Sequence, residues 1–289
     1  MEGLFLSSGI KHNPQDSMEE MLKTAEILRD RYRFGGYIHL KVLPGSSPDY
    51  IAQAGKLANR MSLNLEVPNE QRLSAISKTK NYQKELLLPL QSITHTVRTN
   101  PGVSQTTQFV VGAAQESDQE ILGTVTKLYN QYRVKRSYFS AFQPVSGTPL
   151  QHLDPTPLKR ENRLYQADFL LRQYSFKSEE LIYDDTGNLD LSLDPKLMYA
   201  IKNPQLFPLE MNKASYRQLL LVPGIGPKSA MRIQSVRRSH RLSSLEELKN
   251  MGVVVKRAAP FVTIAGKKCG NLDWLYHPEP SKFVQLSFW

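Results

Sequence analysis

The first half of the chain alternates short apolar segments of strand length with longer segments of helical periodicity. Strands are predicted at residues 3–9, 36–43, 61–67, 106–113 and 134–142, and helices at 17–33, 48–60, 70–78, 81–92 and 117–132. Capping boxes that begin at Ser17 and Ser117 mark two of the helix starts, and the polar residues at 94–105 indicate a loop. Since strands separated by helices pair in parallel through right-handed crossovers, the pattern predicts an α/β fold.

Three of the predicted strands carry polar residues at alternate positions. Period-two alternation places each set on one face of its strand. The sets are Tyr37, His39 and Lys41; Ser62, Asn64 and Glu66; and Arg136, Tyr138 and Ser140. Strands buried on both faces of a parallel sheet are nearly all apolar, so these faces predict a polar binding cavity inside a barrel. The alternative is an edge strand with one solvated face, and a single buried His39 or Lys41 is more often a satisfied core residue than a catalytic one.

The second half of the chain is predicted to contain a connector and a helical domain. Residues 143–159 are rich in proline and turn residues, a helix is predicted at 160–174, and an irregular stretch follows to residue 211. These changes predict domain boundaries at 1–150, 151–211 and 212–289. The apolar residues at 281–289 are expected to pack against the domain.

The most specific pattern is Leu-Val-Pro-Gly-Ile-Gly-Pro-Lys-Ser-Ala at residues 221–230. A helical segment from near Asn212 leads into it. Gly224 and Gly226 predict a tight turn, because glycine adopts positive φ without steric cost. Pro227 suits the first position of the next helix, where its missing N–H is no loss. Backbone N–H groups at such a helix N-terminus bind anions, phosphate above all.

Basic side chains are concentrated around this turn. Residues 212–289 hold 13 Lys+Arg and 4 Asp+Glu, a net charge of +9, whereas residues 1–211 hold 24 and 23, a net charge of +1. A charge asymmetry that coincides with a phosphate-binding pattern predicts salt-sensitive, sequence-independent binding of nucleic acid. The residues expected to contact the phosphate backbone are Gly224, Ile225, Gly226, Lys228, Ser229, Arg232, Arg237 and Arg238.

This stretch resembles the helix-hairpin-helix motif of DNA repair and recombination proteins, which contacts the sugar-phosphate backbone of DNA. A degenerate second copy is indicated by a capping box at Ser244–Glu247 and by a one-glycine turn at residues 250–257. Pairs of such units pack into one compact domain, so residues 212–289 are predicted to form an all-α helix-hairpin-helix domain. An ordinary glycine turn between two core helices is the structural alternative.

Segments along almost the whole chain resemble a radical S-adenosylmethionine (radical SAM) family of DNA modification and repair proteins that ends in a helix-hairpin-helix module. They are GLFLSSGI at 3–10, GYIHLKVLPG at 36–45, RLYQADFLLRQY at 163–174 and LVPGIGPKSA at 221–230. The resemblance implies a partial (β/α) barrel of the radical SAM type and a bound S-adenosylmethionine. The residues that it implies for this ligand are Ser7 and Ser8 at the methionine amino group, Asn64 and Glu66 at the ribose, and Gly112, Ser140 and Ala141 near the adenine.

One departure from that family concerns the iron–sulfur cluster. Radical SAM enzymes hold a [4Fe-4S] cluster on a CxxxCxxC loop, but the only cysteine in this chain is Cys269. Cluster ligands are therefore not present in this chain, and no metal ligand or catalytic residue is assigned. The pattern begins at what would be the second barrel strand, which predicts a fragment, a split product that works with an N-terminal fragment carrying the cluster, or a member without the cluster.

Two other functions remain as alternatives. A non-catalytic DNA-binding protein with a degenerate barrel has the same charge pattern. A helix-hairpin-helix DNA glycosylase would use a lysine such as Lys228, but it needs an aspartate where this chain offers only Glu246 and Glu247, and glycosylases of this type are all-helical. The absence of an apolar run near eighteen residues predicts no contact with the membrane interior, and the absence of a signal peptide predicts a cytoplasmic protein.

Overall fold

The computed structural model describes residues 2–271, so the predicted packing of residues 281–289 lies outside the described part. The chain divides into two compact units, residues 1–161 and 162–289. The first unit contains five strands that pair in chain order and in parallel, which confirms the α/β class. The strands are β1 (Gly3–Leu6), β2 (Tyr37–Lys41), β3 (Arg60–Ser62), β4 (Ser104–Val111) and β5 (Val134–Ala141).

Helices connect each strand to the next. They are α1 (Pro14–Glu26), α2 (Pro48–Leu57), α3 (Glu70–Ile76), α4 (Leu88–Thr99) and α5 (Asp118–Tyr132), and α6 (Leu158–Gln173) follows β5. A π-helical turn extends α1 through Ile27–Arg31, and another precedes α4 at Tyr82–Leu87. Right-handed crossovers that always step to the next strand place α1 to α5 on one face of the sheet. That face is fully buried, as Ile38, Leu40 and Phe109 show.

The start of α1 differs from the sequence prediction, whereas the start of α5 agrees with it. α1 begins at Pro14 and not at Ser17, because the Asn13 side chain accepts a hydrogen bond from the N–H of Asp16 and proline occupies the first helical position. Ser17 is buried, and its Oγ accepts a hydrogen bond of 3.1 Å from the N–H of Lys11. The capping box at Ser117 is confirmed, and it starts α5.

The segment at 94–105 was predicted as a loop, but α4 continues to Thr99 and β4 begins at Ser104. Polar residues suggested a loop, but the hydroxyl groups of Thr94 and Thr96 donate hydrogen bonds to carbonyl oxygens of the preceding turn of α4, so these residues fit within the helix. β3 is shorter than predicted and ends at Ser62. Glu66 follows with a positive φ of 65°, so strict alternation does not extend through residue 67.

The second unit contains helices and a small sheet. Most of α6 belongs to this unit. Its other α-helices are α7 (Pro195–Lys202), α8 (Tyr216–Leu221), α9 (Pro227–Val236), α10 (Leu245–Asn250) and α11 (Val255–Ala258), and its strands are β6 (Leu209–Glu210), β7 (Val262–Ile264) and β8 (Lys267–Lys268). Because β7 and β8 pair with each other and β7 pairs with β6, the prediction of an all-α domain at 212–289 is wrong. α8 begins at Tyr216 on a Ser215 capping box, and not near Asn212.

One hydrophobic core unites this second unit. Leu197 of α7 is buried with residues of the later helices and strands, among them Leu220, Ile233, Leu248 and Phe261. Residues 151–211 were predicted as a separate connector, but residues 162–211 belong to the same compact unit as residues 212–271. Within residues 2–271, no helix has the length and apolar composition needed to cross a bilayer.

Candidate functional site

A glycine turn joins α8 to α9 in the second unit; we call residues 222–226 the first glycine turn. Gly224 has a φ of +84°, which glycine adopts without strain. Ile225 is buried beneath the turn, and Gly226 is the N-cap of α9 with an extended backbone. Pro227 occupies the first helical position, as predicted. The local sequence therefore dictates a sharp reversal into a helix N-terminus.

A second glycine turn, residues 251–254, joins α10 to α11 in the same way. Gly252 has a φ of +86°, and it lies 28 residues after Gly224. At the same offset Val253 replaces Ile225, and both side chains are buried. Lys228 and Ala230 likewise correspond to Lys256 and Ala258. The second copy predicted at residues 250–257 shares the positive-φ glycine of the first turn, but Val254 stands in place of the second glycine and has a different ψ, 85° against 173° for Gly226.

The two turns pack directly on each other. The N–H of Val254 donates a hydrogen bond of 2.9 Å to the carbonyl oxygen of Gly224. Ser229 Oγ donates a hydrogen bond of 2.9 Å to the carbonyl oxygen of Gly252. A Cβ atom on Gly224 would lie 2.5 Å from the carbonyl oxygen of Val254, so only glycine fits there. This close contact fixes the relative orientation of the two helix N-termini.

The turns differ in the use of their N–H groups. In the second turn the N–H of Val254 is consumed by the contact with Gly224. In the first turn the N–H groups of Gly226, Lys228 and Ser229 have no acceptor within residues 2–271. The first N–H groups of a helix lack intrahelical partners and favour an anionic one. The first glycine turn is therefore the better anion site of the pair.

The predicted basic residues have different roles in the structure. Lys228 and Arg232 are exposed on α9, and Arg238 is exposed in the turn that follows it. Arg232 also donates a hydrogen bond of 3.3 Å to the carbonyl oxygen of Met251, so it braces the second turn. Arg237 is directed inward, because its Nη1 donates hydrogen bonds to the carbonyl oxygens of Met211 and Ala214. Ser229 is also buried. Arg237 and Ser229, both predicted to contact DNA, therefore have structural partners within the unit.

A cleft of about 440 Å³ lies against the first glycine turn. It is lined by the turn itself, by Lys196 at the start of α7, by Tyr174 and by Arg257 of α11. Lys196 is 7% exposed, and its Nζ donates a hydrogen bond of 2.6 Å to the carbonyl oxygen of Ile225. The Tyr174 ring covers the same ammonium group at 4.5 Å. The sequence prediction missed Lys196, because it treated residues 175–211 as irregular.

An ion pair between Asp194 and Arg257 lines this cleft. Arg257 Nη2 pairs with the carboxylate of Asp194, which also accepts a hydrogen bond from the N–H of Leu197 at the start of α7. Burial, reinforced by repulsion from Arg257, lowers the pKa of Lys196 well below its usual value, and Asp194 opposes the shift. An Asp-Pro pair before a short apolar helix is an N-cap signal, so α7 was detectable even though the burial of Lys196 was not.

In the first unit, the residues that the family resemblance implies for S-adenosylmethionine lie at the carboxyl ends of parallel strands, at one edge of the sheet. Ser7 and Ser8 follow β1, Asn64 and Glu66 follow β3, Gly112 follows β4, and Ser140 and Ala141 end β5. Ligands bind at this edge in α/β proteins. Glu66 joins the edge through its backbone, which exchanges hydrogen bonds of 3.0 and 2.8 Å with Gln108 and Val110.

Two of these positions have partners within the chain. The N–H of Gly112 donates to the buried carboxylate of Glu116, and a Cβ atom at Gly112 would meet Thr156 Oγ1 at 2.0 Å. The N–H of Ala141 donates a hydrogen bond of 2.7 Å to Glu161 Oε2. Close packing therefore explains Gly112 without a ligand.

The polar faces predicted for the strands form one continuous surface. Lys41, Ser62 and Arg136 lie in one row across the sheet, because each register step links them through Thr106. His39 Nε2 lies 2.9 Å from Ser62 Oγ, and burial, with the charge of Arg60, lowers the pKa of His39 to about 4. The face is therefore polar, half-buried and lined by a neutral imidazole at pH 7.

The side chains do not fit a [4Fe-4S] cluster. Protein [4Fe-4S] clusters are held by several cysteine thiolates, whereas the chain has one cysteine, Cys269. Burial raises the pKa of its thiol, so the thiolate form is disfavoured. Within residues 2–271, no group of three or more His, Cys, Asp or Glu side chains is placed to hold a metal ion.

No protein-family model matches this chain, and no curated protein is significantly similar to it. Its function must therefore be inferred from its own residues. The second unit offers paired helix N-termini with exposed lysines, and the first offers a polar sheet edge.

Proposed function

We propose that the second unit is a tandem helix-hairpin-helix module that binds the sugar-phosphate backbone of DNA without reading its sequence. The observation that carries this proposal is the repeat of a positive-φ glycine turn at an offset of 28 residues, each copy followed by an exposed lysine, Lys228 or Lys256. One anion-directed helix N-terminus, with an exposed lysine on each of the two adjoining turns, suits a phosphate backbone.

The chemistry of the first turn supports phosphate as the ligand. Three N–H groups without acceptors in the described residues, at Gly226, Lys228 and Ser229, converge on one helix N-terminus. The exposed side chains of Lys228 and Arg232 lie four residues apart, hence on the same face of α9. Phosphate contacts of this kind position a protein on DNA but carry no sequence information.

For the first unit we propose part of a (β/α) barrel of the radical SAM type, which serves DNA modification or repair. The sequential order of five parallel strands is the order that a barrel requires. Its polar face and the strand-end residues from Ser7 to Ala141 are suited to a polar ligand such as S-adenosylmethionine. Since one cysteine cannot hold the cluster, no radical step is assigned to this chain.

The test is the salt dependence of DNA affinity, measured by fluorescence anisotropy with the full chain. Lys228→Ala and Lys256→Ala should each weaken binding to all sequences alike, and each should reduce the slope of log K against log [salt] by about 1. Lys23→Ala is the matched control, because Lys23 is an exposed lysine of the first unit paired with Glu19 at 2.6 Å.

Two outcomes would contradict the proposal. Unchanged salt slopes in both lysine variants would show that these side chains do not contact phosphate. Strong preference for one DNA sequence over scrambled versions would show that base edges are read, which a backbone-binding module cannot do.

A further inference from the structure

A buried ammonium group holds the peptide that joins Ile225 to Gly226. Lys196 Nζ donates a hydrogen bond of 2.6 Å to the carbonyl oxygen of Ile225. The N–H at the other end of the same peptide belongs to Gly226 and has no acceptor within residues 2–271. Because the C=O and N–H of a trans peptide point in opposite directions, the N–H of Gly226 is directed away from Lys196.

We infer that Lys196 is a positioning residue of the anion site, which orients and polarises the 225–226 peptide so that the N–H of Gly226 becomes a stronger donor to a phosphate oxygen. This inference rests on the proposed binding of DNA by the first glycine turn. Hydrogen bonds that share a peptide polarise one another and strengthen by roughly 10–30% per bond. An ammonium donor, being charged, polarises a carbonyl more than a neutral donor does.

The surroundings of Lys196 favour this role over simple filling of space. A buried lysine is costly unless its charge is compensated, yet Lys196 makes its hydrogen bond to a neutral carbonyl. The groups that face it are the Tyr174 ring from the end of α6, Asp194 from its own N-cap, and Arg257 from α11. Asp194 is already paired with Arg257. The cluster therefore keeps an excess of positive charge directly behind the turn.

Protonation of Lys196 should be linked to anion binding. Burial lowers the pKa of Lys196, so its charge can be lost at a lower pH than that of a surface lysine. Only the protonated form polarises the peptide fully, and a bound phosphate favours that form. Affinity should therefore be highest below the pKa of Lys196 and should fall as the pH rises through it.

The experiment compares Lys196→Met and Lys196→Arg in the full chain. Lys196→Met should bind DNA about tenfold more weakly at fixed salt, with an unchanged salt slope because Lys196 does not contact phosphate. Lys196→Arg should keep affinity within about threefold, because arginine still donates as a cation. Both variants should lose the decline in affinity that is expected of the unaltered chain as the pH rises through the pKa of Lys196.

A measurement without DNA separates this inference from the proposed function. The Gly226 amide proton should move upfield in the Lys196→Met spectrum and return in Lys196→Arg, and in the unaltered chain it should titrate with pH. A Gly226 resonance that neither titrates nor responds to Lys196→Met would overturn the inference. Equal loss of affinity in both variants, with the pH profile retained, would also overturn it and assign Lys196 a packing role. Absence of DNA binding by the unaltered chain would instead overturn the proposed function.

Discussion

At the scale of single residues, Gly224 and Gly226 have different roles. Gly224 has a φ of +84°, and a Cβ atom there would lie 2.5 Å from a backbone oxygen of the second turn. Gly226 has a φ of −100°, and a Cβ atom there would lie 3.3 Å from the hydroxyl oxygen of Tyr174. Gly224 is therefore needed for the fold of the turn, whereas Gly226 is needed for access to its N–H.

The two glycines should respond differently to substitution. Gly224→Ala should lower the free energy of unfolding by about 2–4 kcal/mol, from backbone strain and overpacking. Gly226→Leu should cost only about 1 kcal/mol, since leucine is a poorer N-cap than glycine, but it should weaken DNA binding about tenfold because its side chain begins beside the N–H that is proposed to bind phosphate. Urea denaturation and anisotropy measure the two effects. Equal destabilisation by both changes, or full affinity in Gly226→Leu, would contradict the assignment.

Sequence reasoning located the turn but not what supports it. The glycines, Pro227 and Lys228 could be read locally, because each is dictated by backbone geometry within a few residues. Lys196 could not, since lysines are rarely buried and its acceptor lies 29 residues further along the chain. The inward direction of Arg237 could not be predicted either, because the carbonyl groups that accept its hydrogen bonds belong to a loop more than twenty residues earlier in the chain.

At the scale of elements, Glu210 holds the small sheet together. Its carboxylate accepts hydrogen bonds from the N–H groups of Asn212, Ala265 and Gly266 and from the hydroxyl of Thr263. Burial alone would raise the pKa of Glu210, but the N–H groups of Gly266 and Asn212 outweigh it and lower the pKa to about 2. One charged side chain therefore joins β6 to the turn between β7 and β8.

Glu210 should make the stability of the protein sensitive to acid. Its folded pKa of about 2 lies below the ordinary value of 4.5, so its stabilisation is complete above pH 4.5 and is lost as the pH falls toward 2. The difference in melting temperature between the unaltered chain and Glu210→Gln should therefore be largest above about pH 4.5 and shrink below it. Glu246→Gln is the control, because Glu246 is an exposed carboxylate paired with Lys249. A difference that is constant from pH 7 to 2 would contradict the assignment.

Local patterns predicted the elements of the first unit better than those of the second. The alternation in β2 and β5 correctly placed Tyr37, His39 and Lys41 opposite the helix-covered face, because a strand period of two is a local property. β6 to β8 were not predicted, because strands of two or three residues give no periodic signal. The partner of β6 also lies 53 residues away in the chain, as the pair Leu209 and Val262 shows.

At the scale of the whole molecule, the charge distribution supports DNA binding, whereas the cysteine content argues against radical SAM chemistry by this chain alone. The excess of positive charge lies in residues 212–289, which gives DNA binding an electrostatic basis that does not depend on any cofactor. A radical SAM reaction depends on three thiolates, and the chain supplies one, Cys269. The two activities can therefore be separated in one preparation of the protein.

Anaerobic reconstitution with iron and sulfide should load no [4Fe-4S] cluster on this chain alone, because a single thiol cannot hold one. Its absorbance should lack the cluster band, and it should not cleave S-adenosylmethionine, while its salt-sensitive DNA binding remains. Cys269→Ser is the control and should behave identically.

Addition of a peptide with a CxxxCxxC loop tests the partner that the resemblance implies: a cluster and cleavage in that mixture alone would assign the first unit to a split radical enzyme. A cluster on the chain alone that Cys269→Ser abolishes would contradict the argument from ligand number, whereas no cluster in either arm would make the first unit a scaffold for the DNA-binding module.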